Sequence, residues 1–431
     1  MNSSGNRFIK WLSKRPSNKL RGSEFKARQK DFFLLLQGQA VSSFGDAIYS
    51  VIVGLWIYQS TGSMAAMGLV FSASNLAKLL FFPFSGWIVD RFSRRRLILL
   101  CDTIRGLFMC FLGILLFFFD TSGLWPLVFY GIVSGLCASI FNPALKAMLL
   151  SIVGKGELIR ANSLYQAATY GVDIFGQAVA GSAYIFLGAP AMFLANGLTF
   201  LFSALTELFI RRDPEPTPEK RIPFRKSAMD GLRFILAHPG VRINLALSLI
   251  LNVAGGVLRV LLVPWISAYG EQCYGILGAV QSAGVLAGSL LLSVVTISAA
   301  KRHRVFLGCL ILSKLFLILA AFTNFFPLIA IFYGFSSIYQ YVYNALLNAM
   351  VTLAVPDHLR GKVFCAIQAL AMSCAPLGNL IGGIFGEKLP PKHLIVLVMS
   401  FCLAIILLFG SRPSMKHLLA GSPEDTEPQT L

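Results

Sequence analysis

Gly86-Trp87-Ile88-Val89-Asp90-Arg91-Phe92-Ser93-Arg94-Arg95-Arg96 lies between two long apolar stretches, one beginning near Met64 and the other running to about Phe119. One acid and four arginines crowd its last seven residues. Each flanking stretch is long enough for a helix to cross the roughly 30 Å hydrocarbon layer of a bilayer. Arginines in a short turn between two such helices hold that turn on the cytoplasmic side. Charge alone explains this much. The order of residues adds more: Gly86 is expected to permit close helix approach, Asp90 sets an acid at the membrane edge, and Arg91, Arg94 and Arg95 follow at fixed offsets.

Composition extends the same reading to the whole chain. Of 431 residues, 56% are hydrophobic and only 13% charged, with a mean hydropathy of +0.71. A soluble domain carries about 25% charged residues, so the expected solvent is lipid. Twelve apolar segments run at approximately 32–58, 64–89, 96–119, 124–151, 161–186, 190–210, 241–268, 274–299, 305–323, 327–354, 362–387 and 393–411. The expected class is an all-α integral membrane protein.

The net charge of +18 orients the chain and does not point to nucleic acid. Nearly all bases fall in the N-terminal tail, the turns after even-numbered segments and the C-terminal tail. Only Lys388 and Lys392 lie in turns after odd-numbered segments, and Lys78, Arg105, Lys146, Arg259 and Lys314 lie within segments. This asymmetry predicts a multi-pass protein of the cell membrane with both termini cytoplasmic. The 8 cysteines are scattered without C-x-x-C spacing, and the five histidines fall in loops or the tail. No metal site, cofactor, phosphate loop or nucleophile elbow is expected, and the chain reads as a non-enzyme.

Five divisions follow: a basic tail at 1–30, a first six-helix bundle at 31–210, a proline- and charge-rich linker at 211–240, a second bundle at 241–411, and a polar tail at 412–431 expected to lack structure. The bundles resemble each other. Phe141-Asn142-Pro143-Ala144-Leu145-Lys146-Ala147-Met148 answers Tyr343-Asn344-Ala345-Leu346-Leu347-Asn348-Ala349-Met350, and Arg160, Gln166, Gly176 and Gly181 answer Arg360, Gln368, Gly378 and Gly383. Earlier, Gly68, Ser72, Ala73, Ala77 and Arg94 answer Gly278, Ser282, Ala283, Ala287 and Arg304. The basic turn Lys301-Arg302-His303-Arg304 stands where a second copy of the opening loop belongs and has no acid.

The Gly86–Arg96 loop resembles the signature loop of the major facilitator superfamily, except that Ser93 stands where that loop usually has its second glycine. Ser43-Phe44-Gly45-Asp46, Thr61-Gly62-Ser63, Asp102 with Arg105, Arg160-Ala161-Asn162-Ser163-Leu164, Gly231-Leu232-Arg233-Phe234-Ile235 and Leu359-Arg360-Gly361-Lys362-Val363 are together similar to the branch holding macrolide efflux proteins and the enterobactin exporter. The lysophospholipid transporter is a more distant relative. The resemblance implies about twelve helices in two parallel six-helix repeats, a substrate site between them near mid-membrane, and alternating access by rocking. It also implies a latch in which Asp90 meets the start of the eleventh helix near Gly361.

Ionisable groups inside a span are functional candidates by default. Asp46 lies on a polar stripe with Gln39, Ser42, Ser43 and Ser50, and Asp173 on one with Gln166, Thr169, Tyr170 and Gln177. The seventh segment carries Asn244, Ser248, Asn252 and Arg259, and the tenth carries Tyr333, Ser337, Gln340 and Asn344. Such stripes face a wet cavity or hold helices together. Asp46, then Asp173, are candidates for proton coupling or for a cationic substrate group. Arg259 is a counter-ion for one of these acids or an anchor for an anionic group, and Lys78 does the same or snorkels. Asp102 and Arg105 neutralise each other or relay charge to Asp90 and Arg91. Glu207 and Lys146 are expected at the membrane edges.

The functional expectation is a monomeric, proton-coupled exporter of an amphiphilic small molecule, macrolide-like, in which protons, substrate and lipid are the only partners. Siderophore export and lysophospholipid movement are the alternatives within transporters. A non-transporting sensor or scaffold is the alternative outside them.

Overall fold

The computed structural model describes residues 19–118, 124–153, 158–210, 224–295 and 297–420. Among them no strand occurs. The helices are α1 (Lys19–Thr61), α2 (Met64–Arg91), α3 (Arg94–Phe118), α4 (Trp125–Val153), α5 (Leu158–Glu207), α6 (Phe224–Ala237), α7 (Pro239–Ser267), α8 (Glu271–Val294), α9 (Ala299–Phe322), α10 (Phe326–Ala354), α11 (Asp357–Gly386), α12 (Pro391–Gly410) and α13 (Pro413–Ala420).

Ten helices are long and apolar enough to cross a membrane. One of them, α5, is two spans in one: Gly188 sits inside it at φ 72°, a left-handed conformation that L side chains avoid, with Pro190 just beyond. The 29-residue α10 is long enough but carries Tyr333, Ser336, Ser337, Tyr339, Gln340, Tyr341, Tyr343 and Asn344. Counting both limbs of α5 and adding α10, the described chain supplies twelve spans. Phe186, Val294 and Phe322 stand 86%, 82% and 73% exposed, a surface that lipid tolerates and water does not. The chain is an all-α, multi-pass membrane protein.

Local sequence sets the ends of α2 and α3. Ser63 caps α2 by accepting from the Ala66 N–H at 3.2 Å, and Ser93 caps α3 by accepting from the Arg96 N–H at 3.2 Å. The serine that departs from the signature loop therefore does useful work as an N-cap. Positive φ in the chain falls on Gly62, Gly188 and Gly270, so the turn after α2 makes no demand for a second glycine.

Both connecting segments carry helix. Within the linker at 211–240 lies the amphipathic α6, whose Phe234 and Ile235 bury with Val241, Val363 and Ile367; residues 211–223 lie outside the described set. The expectation that the C-terminal tail lacks structure needs correcting. The polar tail begins with α13, because Met415 and Leu419 supply two apolar side chains, both 0% exposed, that pack with Ile243, Leu347 and Ile406. Residues 1–18 and 421–431 also lie outside the described set.

Candidate functional site: an acid cluster, two polar cavities and one sealed end

The acid cluster lies among α1, α3 and α5. Asp46 on α1 is held half-exposed, with its Oδ2 3.8 Å from Arg105 Nη1. Arg105 is buried and donates from Nη2 to Asp102 Oδ1, one turn back on α3. Its guanidinium also lies over Phe141 and Phe200, 4.7 and 4.3 Å from the ring centroids. Glu207, at the end of α5, is 1% exposed, so it is packed within the bundle. Its Oε1 accepts from Gln39 Nε2 and Ser203 Oγ, each at 3.4 Å. Tyr165 extends the chain of polar groups to Gln39 at 3.5 Å. One oxygen each of Asp102 and Glu207 has no hydrogen-bond partner. Three carboxyl groups thus share one guanidinium in a lipid-embedded bundle, a shortage of positive charge that protons can make good.

Asp102 and Arg105 thus pair with each other, and Arg105 also reaches Asp46. Within the Gly86–Arg96 loop, Arg91 stacks over Trp87 at 5.3 Å. Arg95 donates to the carbonyls of Glu207 and Leu208, capping the C-terminus of α5 where a cation is favoured. Gly86 faces open space, so the close approach expected of it is absent in this conformation. The Nε of Arg94 is buried without a partner. The Asp90 and Gly361 ends of the expected latch lie outside the described side chains. The start of α11 is instead seen clasped by α6: Lys362 Nζ donates to Asp230 Oδ2 at 2.6 Å, and Gly231 lies against the Lys362 carbonyl.

Two cavities open beside the cluster. The first, about 510 Å³, is lined by Ser50, Tyr170, Asp173, Arg259, Gln281 and Gln340 among others. Asp173 Oδ2 accepts from Gln177 at 2.8 Å and from Ser282 on α8 at 2.7 Å, so this acid bridges the two groups of helices. The second, about 430 Å³, is lined by Asn75, Asn252, Arg259, Lys314, Gln340 and Asn344 among others. Arg259 and Gln340 face both cavities. Arg259 pairs with no acid among the described residues and lies over Phe71 at 4.8 Å. Asp46, Gln166 and Lys78 line neither; Asp46 turns to Arg105, Gln166 is exposed elsewhere on α5, and Lys78 has Lys146 as its charged neighbour.

At the end of the bundle holding the α1–α2 and α7–α8 turns, the first and last six spans are pressed together. A Cβ on Gly68 would stand 2.5 Å from the Asn379 carbonyl, and one on Gly383 2.8 Å from that of Met64. Ser72 donates to the Pro376 carbonyl at 3.0 Å. Glu387, just past α11, accepts from Ser63 Oγ at 2.6 Å and the Ala65 N–H at 3.2 Å. Those two donors, the hydroxyl first, hold its carboxyl below the usual range. Glu271 accepts from Gln59, which in turn accepts from Tyr184.

Sequence reasoning missed Glu207 and Lys314 as site residues. The sixth segment does carry a signal, since Asn196, Ser203 and Glu207 recur at helical spacing. Lys314 has none beyond being a charge inside a span.

The fold is closed at one end and holds polar cavities between its helices, and the sequence places it. The chain belongs to the Major Facilitator Superfamily, whose family model matches residues 35–300. It is 24% identical over 403 residues to YfiS of Bacillus subtilis (strain 168), described as an MFS-type transporter, with 89% of this chain and 92% of YfiS covered. It is also 24% identical over 410 residues to the multidrug efflux pump Tap of Mycolicibacterium fortuitum, covering 90% of this chain and 98% of Tap. Its fold matches a bacterial homologue of the human lysosomal transporter Spinster, crystallised inward-facing and unoccupied, at a TM-score of 0.70 and 14% identity over 94% of this chain and 99% of the other. The family is one of transporters, not an enzyme class.

Proposed function

We propose that this transporter is an exporter driven by protons, carrying a small amphiphile out of the cell by rocking of two six-helix bundles. The observation that carries the reading is Asp46: a half-exposed carboxylate tied at 3.8 Å to the guanidinium that also neutralises buried Asp102. A proton arriving on Asp46 removes its claim on Arg105 and leaves that cation to Asp102. The pairing inside the first bundle then differs between the loaded and unloaded states, which is what coupling requires. The likeness to a multidrug efflux pump along 90% of the chain supports outward transport.

With the termini cytoplasmic, the sealed end faces outward and this conformation is open to the cytoplasm, where an exporter collects its substrate. The protein works as a monomer in the cell membrane and needs no cofactor beyond the proton gradient. Leucine and tyrosine walls (Leu258, Leu262, Tyr274, Leu317) suit the apolar part of an amphiphile of the macrolide type. The siderophore alternative gains from Lys314, because it supplies, with Arg259, a second cation at the cavity.

The test is exclusion of macrolides, lipophilic cations, catecholate siderophores and labelled lysophospholipid from cells lacking other pumps, with and without an uncoupler. Uncoupler-sensitive exclusion of one class, lost in Asp46→Asn, is the expected result. Exclusion that persists with the uncoupler present removes proton coupling.

A further inference from the structure

Lys314 is a buried cation without an acid. It is 5% exposed and points into the cavity of about 430 Å³ that also receives Arg259. Neither side chain has an ion-pair partner or a hydrogen-bond acceptor among the described residues, and the titratable group facing Lys314 is Cys402. The residues lining this cavity include Asn75, Asn244, Asn252, Asn344, Asn348 and Gln368 and no aspartate or glutamate.

The internal repeat sets the contrast with the first bundle. Gly68, Ser72 and Arg94 answer Gly278, Ser282 and Arg304 at a constant offset. At that offset Arg105 falls on Leu315 and Asp102 on Leu312, with Lys314 one residue before the Arg105 position. The third helix of the second bundle thus carries a cation and has no acid at the Asp102 position. An intramembrane ammonium without a partner is costly, and so is an unpaired guanidinium. A ligand that brings negative charge relieves both.

We propose that this cavity is an oxyanion site: the transported molecule carries a carboxylate or phosphate group that seats between Lys314 and Arg259, with the amides of Asn252, Gln340 and Asn344 meeting the polar atoms around it. Leu258, Leu310 and Leu317 receive its apolar part. The substrate is then an anionic amphiphile, opposite in charge to the lipophilic amines that an acid-lined pump would take. This rests on the export reading only in calling the ligand a substrate, since the site's preference for anions is measurable without transport.

The test uses the purified full chain in lipid nanodiscs and two amine-reactive probes of nearly equal size, pyridoxal 5′-phosphate and uncharged pyridoxal. Borohydride reduction followed by peptide mass spectrometry reads modification at each lysine. Lys314 is expected to react at least about tenfold faster with the phosphate than with pyridoxal, the size of effect that one nearby cation supports at an intermediate dielectric. Arg259→Gln removes that preference and Arg259→Lys keeps it, the latter guarding against misfolding. Protection by N-acyl amino acids identifies a carboxylate ligand, by sugar phosphates a soluble phosphate, and by lysophosphatidic acid a lipid headgroup. Lys314 left unmodified, equal rates with both probes, or protection by tetraphenylphosphonium but by none of the anions would overturn the assignment. An intact anion preference in a protein that moves nothing across a membrane would overturn the export reading and leave the site standing.

Discussion

The third helix of each bundle carries a buried base, and the two bases live in opposite surroundings. Arg105 on α3 is neutralised by Asp102 and Asp46 and sandwiched near Phe141 and Phe200. Lys314 on α9 has no acid and faces a cavity walled by amides. A base with its acids built in is a self-contained switch, whose pairing changes when a proton binds. A base without them is an incomplete ion pair, finished by whatever enters the cavity. On the reading proposed above, that divergence separates the work of coupling from the work of recognition.

Removing each base is the sharpest way to break this comparison. Arg105→Leu leaves Asp102 buried and unpaired, so it should destabilise the protein by about 3–5 kcal/mol, read as a large drop in the detergent melting temperature. Lys314→Leu removes a charge that nothing among the described residues neutralises and should leave the melting temperature unchanged or raise it. A comparable loss in both variants would mean that Lys314 has a protein partner after all. Next in size, Asp46→Asn is expected to cut uncoupler-sensitive export by on the order of tenfold or more, as loss of an intramembrane proton carrier would, while ligand binding at Lys314 persists. Loss of both together would merge the two roles.

The sealed end supplies two smaller tests. Gly68→Val places a side chain where the Asn379 carbonyl already sits, so the closed arrangement is penalised. A cysteine introduced in this seam should become reactive to membrane-impermeant maleimide. The smallest effect is expected at Glu387. Its carboxyl is held below the usual value by Ser63 and Ala65, so its contribution to closure is complete above the ordinary glutamate pKa of about 4.3. That contribution fades as the pH falls through the lower value it has in the closed state. Glu387→Gln should abolish this acid-dependent component of seam opening and leave the rest of the pH profile in place.

Much of the fold was legible because lipid demands long apolar runs and the basic turns between them carry the topology. Only α10, rich in tyrosine and serine, and the kinked α5 blur the count. The cavities were legible where polar residues recur at helical spacing, as for Asp173, Asn252, Gln340 and Asn344. Spacing along one helix says nothing of which face meets which neighbour, so Asp46, Gln166 and Lys78 fell outside both cavities. Asp102 and Arg105 pair as their one-turn spacing suggests, whereas the reach of Arg105 to Asp46 on another helix was not legible. Glu207 was missed because a carboxylate near the end of an apolar run reads as wet, whereas Gln39 and Ser203 from two helices bury it.

The clasp of α6 on α11 has a consequence for how the polypeptide can be cut. Ile210 is packed into the first bundle, and Phe234, Ile235 and Asp230 are committed to the second, so the chain passes from one bundle to the other in the stretch between Ile210 and Phe224. A gene split within it should yield two fragments that find each other in the membrane. A split after α6 would take from the second fragment the helix that holds its own core closed.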